Sequence, residues 1–500
     1  MLVASATPAG TGVDMNYTDP FRARVRAAPE APALMRRLRD GSGVALDSYR
    51  DLDRTIDALA GRLAAHGVAR GGTCTVSVDG HWATLVVLLT LGRMGVVASI
   101  DDDGGTDWTL VGSSASGTPE RGWRIVVPPE WTDAPSPDEV VEPVPSAQDP
   151  DAVALIVRSS GTTGRPKRVP ITHAQMLARV ARVRAGNPMP AEGRLACPMG
   201  PSGGYGMRHM ICALAGGSSI LMTAGAERTL AGAERFGVTH LVVSPAILDQ
   251  MVRARASATG PLPKMLELEV GGSRLPAALR DAAARVICAN IHLSYGSSEV
   301  GVVARGSAAE LAGIPDAVGR VFDDLDVQAV DEYGHPLPAG GEGLLRMRGE
   351  GCVDRYLGAP KASARAFRDG WFFPGDIGCV TADRVLVIRG RERELINAGG
   401  VKIAPSVLED ALAGTPGVTE IAAFGVVDAM GIERPWLAVV PTRDFDFKAF
   451  EAACIARLGV KTPAGVLLFR ELPRNPNGKI VRAELAAIAL ERARHPKTNA

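Results

Sequence analysis

Between Thr73 and Ile100 the chain runs TCTVSV, then the apolar ATLVVLLTLGRMG, then VVASI. The first and last read as strands and the middle as a buried helix, and strands alternating with helices imply a parallel sheet. The same alternation returns later, where strand SSILM, a helix near 226–236 and strand VTHLVVS, ending at Pro245, follow one another. The expected fold class is therefore α/β. At 500 residues the chain is too long for one hydrophobic core, so two or more domains are expected.

Around this frame the sequence predicts helical spacing over residues 20–70: FRARVRAAPEAPALMRRL first, then SYRDLDRTIDALAGRLAAHG. The second has apolar positions Leu52, Ile56, Leu59 and Leu63 and a stop at Gly67. From Asp101 to Asp151 the chain turns polar and Pro-rich, with WRIVVP its one clear strand, and reads as a surface excursion or a subdomain connection. Helices are expected over His173–Arg184, over MRHMICALAGG after the glycine-rich turn CPMGPSGGYG, and over 276–285. Past SYGSSEVG the pattern becomes short alternating strands with turn signals, an antiparallel β subdomain. Beyond Arg391 about a hundred residues of mixed strand and helix are long enough for a small separate domain.

Lys+Arg and Asp+Glu are both 55, so no basic face is advertised for nucleic acid or an anionic membrane. The seven cysteines are scattered without metal or disulfide spacing. The N-terminus lacks a signal-peptide pattern, Met15 is a second plausible start, and the apolar run Ala83–Leu91 is too short for a bilayer. These features predict a cytoplasmic protein, monomer or homodimer, with reduced thiols and no nucleic-acid or membrane partner.

The sharpest local signal follows the apolar run AVALIV: Ser159, Ser160, Gly161, Thr162, Thr163, Gly164, Arg165, Pro166, Lys167. Glycines admit phosphate oxygens close to backbone N–H groups, hydroxyls add donors, and Lys167 adds positive charge. The spacing is not that of a Walker A loop, which has four residues between its glycines and Lys-Ser/Thr directly after the second. Alone, such a segment reads equally as a flexible polar surface loop.

Four further stretches bear on it. SYGSSEVG offers an aromatic plane (Tyr295), a hydroxyl (Ser298) and a carboxylate (Glu299), the parts a Mg-nucleotide needs, or else a strand end with a capping serine. DGWFFPGDIG places Asp376 behind a glycine, GRERELINAGGVKIAP follows, and LPRNPNGKIVR carries Lys479 near the C-terminus. Singly, the second is a turn and Lys479 a surface charge.

In this order and at these separations the five stretches closely resemble the AMP-forming, adenylate-forming superfamily of acyl-CoA synthetases, peptide-synthetase adenylation domains and luciferases. GGSRLP, EGLLRMRG and GIERPWLAVVP support the likeness, which covers nearly the whole chain. It implies an N-terminal domain of about residues 1–391, made of parallel-sheet α/β units plus the β subdomain, that binds acid and ATP. A small mobile C-terminal α+β domain from 392 to 500 would carry the catalytic lysine. It further implies that Ser159–Lys167 holds the β- and γ-phosphates of ATP, that Gly271, Gly272 and Ser273 with Tyr295 sandwich adenine, and that Ser298 touches the α-phosphate. Glu299 would bind Mg2+, Asp376 and Arg391 the ribose, Arg393 would be the hinge, and Lys479 the catalytic lysine.

Three departures stand out. Ser298 replaces the usual Thr, Pro374 replaces a common Thr before Gly-Asp, and Pro201 sits where many acyl-CoA synthetases have histidine. The aspartate that marks an α-amino acid substrate is also missing. Gly203, Gly204, Tyr205, Arg208 and Ser294 suggest an acid pocket with room and one candidate counter-charge. The implied reaction is ATP-dependent activation of a small carboxylic acid, with transfer of the acyl group to a thiol. Coenzyme A is favoured because Gly399 and Gly400 resemble a passage for pantetheine. A carrier-protein pantetheine, a non-thiol nucleophile and a non-catalytic nucleotide-binding homologue are the alternatives.

Overall fold

The computed structural model describes residues 15–37, 43–100, 105–114, 123–159, 166–398, 401–427, 432–474 and 479–494. Two extended sheets dominate the first four-fifths of the chain. One has six strands in the order Trp123–Val126, Trp108–Val111, Thr73–Ser77, Val97–Ser99, Val153–Arg158, Arg168–Thr172, parallel except for the last. The other has a parallel half in the order Ile291–Ser297, Glu267–Gly271, His240–Val243, Arg194–Ala196, Ser219–Met222, Pro32–Arg37, closed at that edge by antiparallel Val44–Ser48. Beyond Ile291–Ser297 it continues antiparallel through Gly301–Ser307, Ala317–Val321, Val385–Arg391, Asp376–Val380 and Gly343–Gly349, which is the expected β subdomain.

The helix Gly80–Met94 is buried along most of its length, which is why its sequence is apolar on every face. It stops at Gly95, whose φ of 70° lies in the left-handed region. Helices Tyr49–Ala65 and His173–Gly186 start from capping boxes, Ser48 with Asp51 and Thr172 with Gln175. Residues of both sheets and of these helices form one continuous apolar interior.

Two expectations fail in this part of the chain. APALMRR is not the continuation of a helix: helix Asp19–Ala27 ends before Pro29, and Pro32–Arg37 is a strand buried along Ala33–Arg36 and paired parallel to Ser219–Met222. Burial on both faces, not helical amphipathicity, put those apolar residues side by side. Nor is 101–151 only a surface excursion, since Trp108–Val111 pairs with Thr73–Ser77 inside the six-stranded sheet and holds Trp123–Val126 at its edge.

After Arg391 the remaining strands belong to neither large sheet. A hairpin, Ile396–Ala398 with Val401–Ile403, precedes a three-stranded sheet of Val418–Val427, Glu433–Pro441 and Gly465–Leu468. Helices Pro405–Ala411 and Phe447–Leu458 share one apolar cluster with this sheet, and Arg482–Arg494 a second. The architecture is a large α/β region with mixed sheets followed by a smaller α+β region.

Candidate active site

Ser159 follows strand Val153–Arg158, Gly271 ends strand Glu267–Gly271, and Ser294 and Tyr295 lie in the later half of strand Ile291–Ser297. All are at carboxyl ends of parallel strands, where open sheets leave a crevice for ligands. The antiparallel strands beside them bring Asp376 opposite Arg391 in register.

Asp376 is the hub. Its Oδ2 accepts a hydrogen bond from the Tyr295 hydroxyl, and its Oδ1 lies 2.8 Å from Arg391 Nε. Burial pushes the Asp376 carboxyl up, against the lowering influence of Arg391. Arg391 is itself raised: burial disfavours its charge, but Asp376, Tyr295, Glu394 and Glu299 together outweigh that. Tyr295 is held well above the ordinary phenol range by burial and by the same carboxylate, so it stays a neutral donor.

Lys479 reaches this cluster from the C-terminal region. Burial first, then the positive charge of Arg391, lower its pKa, while Asp376, Glu394 and Glu299 oppose the shift. Its ammonium is therefore enclosed among the groups singled out for ribose and metal, although Lys479 lies more than three hundred residues from the phosphate loop.

Glu299 is fixed from three sides. Its carbonyl accepts from Arg179 Nη2 at 2.8 Å and from Val353 N at 2.9 Å, and its Oε1 accepts from the Tyr356 hydroxyl at 2.8 Å. The Lys167 ammonium lies over the Tyr356 ring, 5.4 Å from its centroid, so the loop lysine and the carboxylate share one tyrosine. The Ser298 hydroxyl donates to the Arg158 carbonyl at 3.1 Å and the Ser298 carbonyl accepts from Arg179 Nη1 at 3.1 Å. Ser159 and Lys167 pin the neck of the phosphate loop, Ser159 N to the Lys167 carbonyl at 2.9 Å and Lys167 N to Ser159 Oγ at 3.1 Å. Ser160, Gly161, Thr162, Thr163 and Gly164, and likewise Gly399 and Gly400, lie outside the described residues.

Mg2+ takes oxygen ligands, commonly one or two carboxylates with substrate phosphates and water. Among the described residues no group of three or more His, Cys, Asp or Glu is placed to hold a metal. Glu299, with Oε1 on Tyr356 and no hydrogen bond to Oε2 among the described residues, fits an ion that draws its other ligands from phosphate.

The proposed acid pocket opens beside this cluster. Helix Gly204–Gly216 begins at its N-cap Gly203, and a Cβ at Gly203 would meet nothing within 4 Å. The Tyr205 hydroxyl lies 2.8 Å from Glu269 Oε1 and 2.7 Å from Ser294 Oγ. A Cβ on Gly271 would fall 2.5 Å from that hydroxyl, so glycine is required where strand and tyrosine meet. Gly272, with φ near 91°, faces open space, and Ser273 is exposed. His209, buried against the Tyr205 ring, bridges the Tyr205 carbonyl and Glu269 Oε1 at 2.9 and 3.0 Å. Arg305 Nε adds a contact to Glu269 Oε2 at 3.0 Å. Burial would raise Glu269, but His209, Arg305 and Tyr205 hold it well below the usual carboxylate range. The guanidinium of Arg208 lies 5.3 Å from the Tyr205 ring centroid.

Tyr356, Arg179 and Glu269 were not singled out in the sequence. Tyr356 lies in CVDRYLG, which carries no pattern, and Arg179 hides in the repetitive ARVARVR. The carboxylates in LELEVGG, inside an otherwise apolar strand, were the available signal for Glu269.

Known proteins resemble this chain in sequence and in fold. Residues 114–357 match the AMP-binding enzyme family and residues 407–479 the C-terminal domain of AMP-binding enzymes. A feruloyl-CoA synthase of Amycolatopsis sp is 30% identical over 490 residues, covering 92% of this chain and 96% of that one. The chain belongs to the AMP-binding enzyme family. It is thus a member of the AMP-forming, adenylate-forming superfamily, and solved structures share its fold. The o-succinylbenzoate CoA synthetase of Bacillus subtilis, solved with its acyl-adenylate intermediate, superposes with a TM-score of 0.82 at 20% identity, over 94% of this chain and 98% of that one. An amide bond synthetase of Marinactinospora thermotolerans superposes with a TM-score of 0.79 at 21% identity, over 94% and 99%.

Proposed function

We propose that this protein is an acid–thiol ligase that activates a carboxylic acid with ATP and passes the acyl group to coenzyme A. The first half, formation of an acyl-adenylate by an AMP-forming ligase, is the reaction of its family. The observation that carries the residue assignment is the enclosure of Lys479 among Asp376, Arg391 and Glu299.

Attack of a carboxylate on the α-phosphate brings two anions together and releases a third, so the barrier is largely electrostatic. Lys479 supplies positive charge where the carboxylate approaches, and Ser298 holds the α-phosphate by its hydroxyl. Lys167, leaving the face of Tyr356, meets the departing pyrophosphate together with the loop hydroxyls. Asp376, with Tyr295 and Arg391 fixing its two oxygens, receives ribose hydroxyls, while Tyr295 and Gly271–Ser273 bracket adenine. Mg2+ held by Glu299 supplies further neutralisation of phosphate charge when bound. Arg393 lies in the turn after Arg391, where the large sheet ends, and serves as the hinge on which residues 392–500 swing after adenylation. Gly399 and Gly400 then line the way for pantetheine.

The name of the feruloyl-CoA synthase supports coenzyme A as acceptor, and that of the amide bond synthetase keeps an amine acceptor as the second reading. ATP–pyrophosphate exchange across a panel of acids tests the first half-reaction, and no exchange with any acid would sink it. Product analysis with coenzyme A, a holo-carrier protein and an amine then decides the acceptor; amide without thioester would replace the ligase reading.

A further inference from the structure

Three arginines, Arg179, Arg182 and Arg208, are buried where helices His173–Gly186 and Gly204–Gly216 pack together. Two are saturated. Arg179 donates to the carbonyls of Gly351, Ser298 and Glu299 at 2.8, 3.1 and 2.8 Å. Arg182 pairs with Asp324 at 2.7 Å and donates to the carbonyls of Val300, Val302 and Glu350. Arg208, only 4% exposed, has neither a hydrogen bond nor an ion pair among the described residues, and its Nε is fully enclosed without a partner. Its guanidinium lies over the face of Tyr205.

A guanidinium stays charged in protein interiors, and burying it without an anion is strongly unfavourable. The buried carboxylate whose charge it feels is Glu269, whose oxygens are already engaged: Oε1 by Tyr205 and His209, Oε2 by Arg305. Among the described residues Arg208 therefore stands as an uncompensated cation, in the second turn of the helix that begins after Gly203 and over the ring of Tyr205. Tyr205 beneath it touches Ser294 and presses on Gly271, and Arg179 beside it grips the Ser298–Glu299 backbone.

Building on the adenylation reading, we infer that Arg208 pairs with a second anionic group of the substrate. The acid activated is one that carries a fixed negative charge, carboxylate or sulfonate, besides the carboxylate that becomes the acyl phosphate. Because Arg208 neighbours the arginine that holds Ser298 and Glu299, the two anionic groups of the acid are separated by a short spacer. No bond changes at Arg208; it positions and selects.

Matched acids test this, each dianion against a neutral isostere in which an isopropyl or tert-butyl group replaces the second anion: succinate with 4-methylpentanoate, phthalate with 2-isopropylbenzoate, 3-sulfopropanoate with 4,4-dimethylpentanoate. Binding is measured by calorimetry with a non-hydrolysable ATP analogue, and turnover by pyrophosphate release. The wild type should prefer at least one dianion over its isostere by about a hundredfold, as a buried charged hydrogen bond discriminates. In Arg208→Met the ratio should collapse toward one, and Arg208→Lys should keep part of it. Phthalate or succinate alone being selected identifies a carboxylate as the second group, and 3-sulfopropanoate alone a sulfonate.

Dianion binding that depends on Arg208 without any pyrophosphate release would sustain this inference and refute adenylation. Adenylation of neutral acids with no dianion preference would do the reverse. Equal weakening of ATP by Arg208→Met whatever the acid would assign the guanidinium to the nucleotide and overturn the inference. If Arg208→Met fails to fold, the wild-type ratio and Arg208→Lys decide.

Discussion

Arg274 sets its two terminal nitrogens against the two carboxylate oxygens of Asp410, each at 2.6 Å, and one of them also reaches Asp316 at 3.0 Å. Arg274 follows the Gly271–Ser273 loop of the large α/β region, and Asp410 lies on helix Pro405–Ala411 of the C-terminal region. A bidentate pair fixes orientation as well as distance, so this fork holds the C-terminal region in the arrangement that encloses Lys479.

Arg274→Ala should therefore slow adenylation by up to about fivefold, while thioester formation from supplied acyl-adenylate is unchanged or faster. Both partners are about half exposed, so the melting temperature should hardly move. Half-reactions measured separately on one preparation check this, and equal slowing of both would dismiss the fork as a posture latch.

Tyr356 ties Lys167 to Glu299, the carboxylate proposed for Mg2+, and Tyr356→Phe removes only the hydroxyl that donates to Glu299. Loss of one hydrogen bond to a charged group costs about 1.5–3 kcal/mol. Weaker Mg-ATP binding of that order is expected, with little change in acid affinity. A titration of pyrophosphate release against Mg2+ at fixed ATP shows whether the metal is the ligand affected.

Much of this site was legible because its chemistry lies in short local stretches: SYGSSEVG, GDIG and PNGK each place a polar residue at a strand end or loop where no core position demands one. The fold was legible where a helix or strand carried its own periodicity. Pro32–Arg37 was misread because a strand buried on both faces has no alternation to show, and its partner strand lies nearly two hundred residues later. Trp108–Val111 was missed because its flanks are polar and its pairing with Thr73–Ser77 is tertiary. Tyr356, Arg179 and Glu269 act only through groups brought to them by folding, so no neighbouring residue announces them.

His173 supplies an acid-sensitive contact far from the chemistry. It is buried against Tyr17, whose N–H donates to His173 Nδ1 at 3.3 Å, and burial lowers its pKa from 6.5 to about 4. The folded state thus prefers the neutral ring, while the unfolded chain takes up a proton near pH 6.5. Stability from this group is complete above pH 6.5 and is lost as pH falls toward 4, about 3 kcal/mol in all. Denaturant unfolding at pH 7 and pH 4.5 should show that loss, and His173→Gln should flatten the slope between them.

The charge of Lys479 gives the most discriminating test. Its ammonium acts while the substrate carboxylate is still an anion, so Lys479→Ala should lower pyrophosphate formation by several powers of ten and leave thioester formation from supplied acyl-adenylate largely intact. A surface lysine would affect neither step and a folding role would affect both. The enclosure of Lys479 adds a pH signature. Burial and Arg391 lower its pKa, so the charged form, and with it the adenylation rate, should decline at a lower pH than an exposed lysine would require. Glu394 opposes that shift, and removing its charge should lower the lysine further. Glu394→Gln is therefore expected to move the alkaline limb of the adenylation profile to lower pH. Glu394 also pairs with Arg482 at 3.1 Å, and Arg482 further bonds Glu409 and the Ala423 carbonyl, so Arg482→Gln serves as the control for loss of that bridge and Glu409→Gln for loss of its neighbour. An alkaline limb that stays in place in Glu394→Gln, or moves equally in Arg482→Gln, would remove Lys479 from the reacting centre.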